Sequence, residues 1–127
     1  MGITAIIAED DLINLKLFAE LLEINGISVV GKVTNGKEAV ASFEELNPDV
    51  VFLDVMMPEF DGIYALEQIR KKNPSSKVVM VTADTSEETE QLLEKLKPSA
   101  VIHKPYEIIT ILHILENQLE LKISSSD

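Results

Sequence analysis

The chain has 127 residues, 46% of them hydrophobic and 26% charged, which is typical of one globular domain rather than of a disordered or fibrous protein. Its formal net charge of −11 repels nucleic-acid phosphates and favours a bound cation, so we expect no direct binding of DNA or RNA. Since cysteine is absent, disulfides and thiolate catalysis are excluded, and the composition suits a cytoplasmic protein. The amino-terminal apolar run is too short for a signal peptide or a membrane span.

The first predicted unit is a strand, an acidic loop and a helix. An apolar run at residues 3–8 predicts a buried strand, which is followed at once by Glu9, Asp10 and Asp11. Apolar residues at spacings of three and four then predict a helix over residues 12–24. Asp11 is the expected N-cap of this helix.

The second unit has a less uniformly apolar strand at residues 28–33, which suits an edge of a sheet. Asn35-Gly36 then turns the chain into a helix that ends at Asn47-Pro48.

The third strand, residues 50–53, is wholly apolar and ends abruptly on Asp54, a poor strand former. That carboxylate is either a strand-terminating turn residue or a functional group in the crevice beyond the strand ends of an α/β sheet. A loop with Pro58 and Asp61-Gly62 leads into the third helix.

The fourth and fifth units follow the same pattern. A strand at residues 77–82 ends on a threonine, and Thr85 and Glu88 then form a capping box that predicts the start of helix four. The fifth strand, residues 100–103, ends at Lys104.

The last helix carries an apolar stripe at residues 108, 111, 112, 115 and 119. Ile109, Ile114 and Leu121 lie outside this stripe, and we predict that they form a docking surface or a homodimer contact. Residues 124–127 are a polar tail or the stub of a linker.

Five strands alternating with five helices predict one α/β domain with a parallel sheet, helices on both faces and right-handed crossovers. Of the common doubly wound strand orders, the five-stranded, flavodoxin-like one is 2-1-3-4-5. In this order the first and third strands are neighbours.

That arrangement brings Glu9, Asp10 and Asp54 to one edge of the sheet, where their mutual repulsion requires a cation or protons. Oxygen ligands of this kind suit Mg²⁺. Strands four and five add the Thr82 hydroxyl and the Lys104 ammonium. Taken singly, each side chain has an ordinary structural explanation, such as a helix-start acid or a surface lysine, but their joint occurrence favours a functional site.

The motifs and their order resemble the receiver domain of two-component response regulators, the CheY-like family. The matching motifs are Glu9-Asp10, Asp54, Met57-Pro58, Asp61-Gly62, Thr82-Ala83 and Lys104-Pro105. The resemblance covers essentially the whole chain and implies a receiver domain over residues 1–123.

The resemblance implies that Asp54 is a phosphoacceptor, which takes a phosphoryl group from a phosphohistidine of a sensor histidine kinase or phosphotransfer protein. It implies that Mg²⁺ is held by Glu9, Asp10, Asp54 and the backbone carbonyl of Met56. Such a domain is a signalling switch and not an enzyme, apart from self-catalysed phosphotransfer and slow autodephosphorylation.

The resemblance further implies that Thr82 and Lys104 contact the phosphoryl oxygens and that the Lys104-Pro105 bond is cis. It implies an output protein controlled through the face of helix four, strand five and helix five. Val101 departs from the family pattern, because an aromatic residue or histidine usually stands three positions before the lysine.

Three alternatives remain open. An aspartate-nucleophile phosphatase of the haloacid-dehalogenase type would have a second aspartate two residues after the first, where this chain has Met56. A flavodoxin-like cofactor protein would need a phosphate loop in place of Glu9, Asp10 and Asp11, which repel phosphate. A receiver that is no longer phosphorylated and serves as an interaction module fits the same fold.

Overall fold

The computed structural model describes residues 2–122 and contains one parallel five-stranded sheet in the order β2-β1-β3-β4-β5. Its strands are β1 Thr4–Ala8, β2 Ser28–Val33, β3 Val50–Asp54, β4 Val78–Thr82 and β5 Ala100–His103. Its helices are α1 Leu12–Ile24, α2 Gly36–Leu46, α3 Gly62–Lys72, α4 Glu87–Leu96 and α5 Ile108–His113, with a π-helical turn over Ile114–Gln118. The predicted fold class and strand order are confirmed. The predicted tail at 124–127 lies outside the described residues.

The sheet separates two hydrophobic clusters. One lies under α1 and α5, where the rings of Phe18 and Phe52 meet edge to face with centroids 5.1 Å apart. The other lies under α2, α3 and α4. Every residue of β3 and β4 is buried, whereas β2 alternates between exposed and half-buried residues, as the prediction of an edge strand requires.

Acidic side chains start two of the helices that border the site. The Asp11 carboxylate accepts hydrogen bonds from the backbone N–H groups of Ile13 and Asn14, so its predicted role as N-cap of α1 is confirmed. Asp61 caps α3 by accepting from the N–H of Tyr64.

The predicted start of α4 was wrong by one residue. Ser86, not Thr85, is the N-cap, and its hydroxyl accepts from the N–H of Thr89. The reason lies in the preceding loop, where the Asp84 carboxylate accepts from the N–H of Ser86 at 2.8 Å and from the Thr89 hydroxyl at 2.6 Å. With these bonds in place Thr85 lies in the loop, and α4 begins at Glu87.

Of the three residues predicted to form an apolar docking surface on the last helix, only one is exposed. Ile109 is 69% exposed, but Ile114 is buried and Leu121 packs half-buried against the core. Ile114, the first residue of the π-helical turn, packs into the hydrophobic cluster under α1 and α5. Glu120 then has a positive φ of 56°, and the N–H of Leu121 returns to the carbonyl of Leu115 at 2.8 Å, which folds Leu121 onto the core.

Among residues 2–122, no helix is both long and apolar enough to cross a membrane.

Candidate functional site

The carboxyl ends of β1, β3 and β5 bring Glu9, Asp54 and Lys104 together. The Lys104 ammonium donates to Oε1 of Glu9 at 2.9 Å and to Oδ2 of Asp54 at 2.8 Å. The side chains of Glu9 and Asp54 are only 10% and 8% exposed, and that of Lys104 is 25% exposed. The lysine therefore neutralises part of the charge of two buried acids.

Asp10 completes an acidic cluster with Glu9 and Asp54. One carboxylate oxygen of each residue lies within 4.8 Å of those of the others, and Asp10 is exposed to solvent. Three carboxylates face one ammonium, so two negative charges remain uncompensated when all are ionised. A divalent cation with a preference for oxygen ligands fits this donor set.

The backbone around Asp54 fixes the orientation of its side chain. Oδ1 accepts from the N–H of Met56 at 3.0 Å, while Oδ2 is bound to Lys104. Met56 is 63% exposed, and its hydrogen bond to Asp54 is made by its backbone N–H.

Gly62 allows α3 to begin directly against Asp54, a role that sequence reasoning missed. A Cβ atom at Gly62 would lie 2.2 Å from the carbonyl oxygen of Asp54, and the N–H of Gly62 donates to the carbonyl of Val55 at 3.2 Å. The Asp61-Gly62 pair predicted a turn, but it carried no information about this close approach.

Burial and pairing perturb the ionisable groups of the cluster. Burial raises the pKa of Glu9, and the hydrogen bond from Lys104 offsets this only in part. For Lys104, burial lowers the pKa, but the hydrogen bonds and charges of Asp54 and Glu9 together outweigh burial and raise it. Lys104 thus remains an ammonium at neutral pH.

Thr82 reaches the same sheet edge but takes no part in the hydrogen bonds of the cluster. It is fully buried, and its hydroxyl oxygen accepts from the N–H of Asp84 at 2.9 Å. The nearest acceptor for its proton is the carbonyl of Asp84, at a long 3.5 Å. The Thr82 proton therefore lacks a good acceptor within the described residues.

The segment after β5 carries further neighbours of the site. The Lys104-Pro105 bond is cis. The ring of Tyr106 packs 5.2 Å from that of Phe18 and lines a small cavity with Glu9, Asp54 and Lys104, and burial raises the pKa of its hydroxyl. No pattern in the sequence identified Tyr106.

On β5 itself, Val101 packs half-buried against the cluster beneath α4, while His103 is exposed. Both residues line a shallow groove between α4 and β5.

Fold and site together define a doubly wound α/β domain with an acidic, lysine-paired aspartate at the end of its central strand. The family model described as "Response regulator receiver domain" matches residues 5–116. The chain belongs to this family, as its sequence motifs predicted, rather than to the haloacid-dehalogenase phosphatases or the flavodoxins.

Relatives and solved structures agree with this assignment. The chain is 34% identical over 113 residues to the chemotaxis protein CheY of Listeria monocytogenes, covering 87% of this chain and 93% of the relative. It is 36% identical over 120 residues to a protein-glutamate methylesterase/protein-glutamine glutaminase of Archaeoglobus fulgidus, covering 93% of this chain but only 34% of that protein. The CheY-like receiver domain structure from Methanospirillum hungatei has a TM-score of 0.86 and 25% identity, with 94% of this chain and 95% of that chain covered.

Proposed function

We propose that this receiver domain is a phosphorylation-dependent switch and that Asp54 is its phosphoacceptor. The observation that carries the proposal is the position of Asp54, which ends the central strand with one oxygen on the Lys104 ammonium and the other on the N–H of Met56. An ionised, oriented carboxylate beside an ammonium suits nucleophilic attack on phosphorus.

The proposed step joins an oxygen of Asp54 to phosphorus as the bond between phosphorus and the nitrogen of a donor histidine breaks. The electron pair of the broken bond stays on the imidazole nitrogen. Transfer through a loose transition state depends on alignment and on neutralisation of the phosphoryl oxygens more than on a strong base. Lys104 supplies a positive charge, and Thr82 supplies a hydroxyl proton that has no good acceptor among residues 2–122 of the unmodified protein.

The oxygen-only donor set and its two uncompensated charges support Mg²⁺ as the cofactor. Glu9, Asp10, Asp54 and the carbonyl of Met56 would hold the ion. When bound, Mg²⁺ supplies positive charge that offsets the charge gathered by the carboxylates and the phosphoryl oxygens.

The proposed partners follow from this chemistry. A sensor histidine kinase or a phosphotransfer protein supplies the phosphoryl group in the cytoplasm, and an output protein is controlled through the face formed by α4, β5 and α5. Exposed Ile109 and the groove beside Val101 lie on that face and support a protein contact there, including a homodimer. The strong acidity of the chain argues against DNA or RNA as the direct target.

The test is the reaction of the chain with a small phosphodonor such as acetyl phosphate in the presence of Mg²⁺. We expect a mass increase of one phosphoryl group on the wild type and none on Asp54→Asn. Asp61→Asn is the matched control, because Asn also caps a helix and Asp61 lies on the same loop. A wild type that stays unmodified would contradict the phosphoacceptor role and favour the interaction module. Rapid turnover of a phosphate monoester would instead indicate a phosphatase.

A further inference from the structure

The loop between β4 and α4 contains a hydrogen-bonded chain that leads from Thr82 to the first turn of α4. The Thr82 hydroxyl accepts from the N–H of Asp84 at 2.9 Å. The Asp84 carboxylate in turn accepts from the N–H of Ser86 at 2.8 Å and from the hydroxyl of Thr89 at 2.6 Å. Bonds to an ionised carboxylate are about twice as strong as neutral ones, so Asp84 is firmly held.

This chain opposes the movement that the proposed function requires of Thr82. The Thr82 hydroxyl makes no hydrogen bond to the cluster, so donation to a phosphoryl oxygen on Asp54 requires Thr82 to shift toward Asp54, and the bond from the N–H of Asp84 resists that shift. That N–H cannot follow Thr82 as long as the Asp84 carboxylate is fixed to α4 through Thr89. Loss of the Thr89 hydroxyl would leave the Asp84 carboxylate with the bond from the N–H of Ser86 but without its bond to the first turn of α4, so the backbone of Asp84 could move more easily with Thr82.

We propose that Asp84 and Thr89 are positioning residues, whose hydrogen bond holds Thr82 away from Asp54 and lowers the affinity of the site for a phosphoryl group. The inference rests on the proposed function, in which Thr82 contacts the phosphoryl oxygens. Within residues 2–122, Asp84 and Thr89 form no hydrogen bond with the acidic cluster or with Lys104, so their proposed role is indirect. It also connects the state of Asp54 to the start of α4.

The experiment measures the affinity of the full chain for beryllofluoride, a mimic of the phosphoryl group, by calorimetry at a fixed, saturating Mg²⁺ concentration. Thr89→Val keeps the size of the side chain and removes only its hydroxyl. We expect it to bind beryllofluoride about three to ten times more tightly than the wild type, given the usual strength of a hydrogen bond to a partly exposed charged group.

Three further variants separate positioning from a general loosening of the loop. Thr89→Ser retains a hydroxyl and should return the affinity to that of the wild type. Thr85→Val removes a hydroxyl from the same loop. The oxygen of that hydroxyl makes no hydrogen bond in the described part of the chain, so this variant should bind beryllofluoride with the affinity of the wild type. In a Thr82→Val background, Thr89→Val should no longer tighten binding, because no hydroxyl is left to release.

The outcomes distinguish the two proposals. Wild-type protein that fails to bind beryllofluoride would overturn the phosphoacceptor role and the inference with it. Wild-type binding with an unchanged affinity for Thr89→Val would overturn the inference alone. An equal gain from Thr85→Val, or a gain that persists in the Thr82→Val background, would also overturn it, because the effect would then not pass through Thr82.

Discussion

Nζ of Lys104 lies 2.8 Å from Oδ2 of Asp54, although the two residues are 50 positions apart in the sequence. The parallel sheet makes this contact possible, because it brings the ends of β3 and β5 to the same edge with β4 between them. The ammonium also binds Glu9, so its removal leaves two buried acids without their cationic partner.

Lys104→Gln should therefore destabilise the protein in the absence of Mg²⁺ by roughly 1–2 kcal/mol, less than for a fully buried pair because Lys104 is partly exposed. Urea denaturation monitored by circular dichroism measures this change. Lys72→Gln is the control, since Lys72 pairs with Glu44 at the surface, where both side chains are nearly half exposed, and its loss should cost less than about 1 kcal/mol. Equal effects of the two variants would contradict the importance of the buried pairing.

Mg²⁺ should stabilise the wild type against urea, by about 2.7 kcal/mol at a concentration 100 times its dissociation constant. Asp10→Asn should weaken Mg²⁺ binding about tenfold, because it removes one charge from the cluster. Asp11→Asn is the neighbouring control and should bind Mg²⁺ as the wild type does, since Asn still caps α1. Equal weakening by both variants would indicate a response to net charge alone. Calorimetric titration with MgCl₂ decides between these results.

Gly62→Ala should destabilise the chain by about 2 kcal/mol or more, because the new Cβ would lie 2.2 Å from a backbone oxygen and α3 would have to move. The same shift should reduce phosphorylation of Asp54 by acetyl phosphate. Gly31→Ala is the comparison, since its Cβ would meet only side-chain atoms, the nearest being Cγ1 of Ile6 at 3.1 Å. We expect a cost below about 1 kcal/mol there, and a larger loss for Gly31→Ala than for Gly62→Ala would refute this packing argument.

The carboxyl group of Asp84 should titrate below its ordinary pKa of 3.8, because the Thr89 hydroxyl and the Ser86 N–H stabilise its charged form. Because the pKa is lowered in the folded state, the hydrogen bonds to ionised Asp84 contribute fully to folding stability above pH 3.8. This contribution is lost as the pH falls through the folded-state pKa. Carboxyl ¹³C NMR titration measures the pKa of Asp84. Thr89→Val should move the pKa upward toward 3.8, and an unchanged pKa would show that this hydrogen bond is absent in solution.

From the sequence alone, the fold and the meeting of three acidic side chains at one edge of the sheet could be predicted. Apolar runs that end in Asp54 and Lys104 predicted strands with polar groups at one edge, and the 2-1-3-4-5 order then predicted that Glu9, Asp10 and Asp54 meet. These features are encoded in patterns of neighbouring residues and in the few strand orders open to alternating strands and helices.

Only the tertiary structure determined how the side chains are used. Thr85 and Ser86 are both good capping residues in isolation, and the contact between Asp84 and Thr89 decided that α4 starts after Ser86. Ile114 lies outside the apolar stripe of the last helix, yet it is buried in the cluster under α1 and α5, which its apolar spacing did not indicate. The Thr82 hydroxyl accepts from the N–H of Asp84 and makes no hydrogen bond to Asp54. The strand-end position of Thr82 did not indicate this, because a side-chain rotamer at a fully buried position depends on the packing around it and on the path of the following loop.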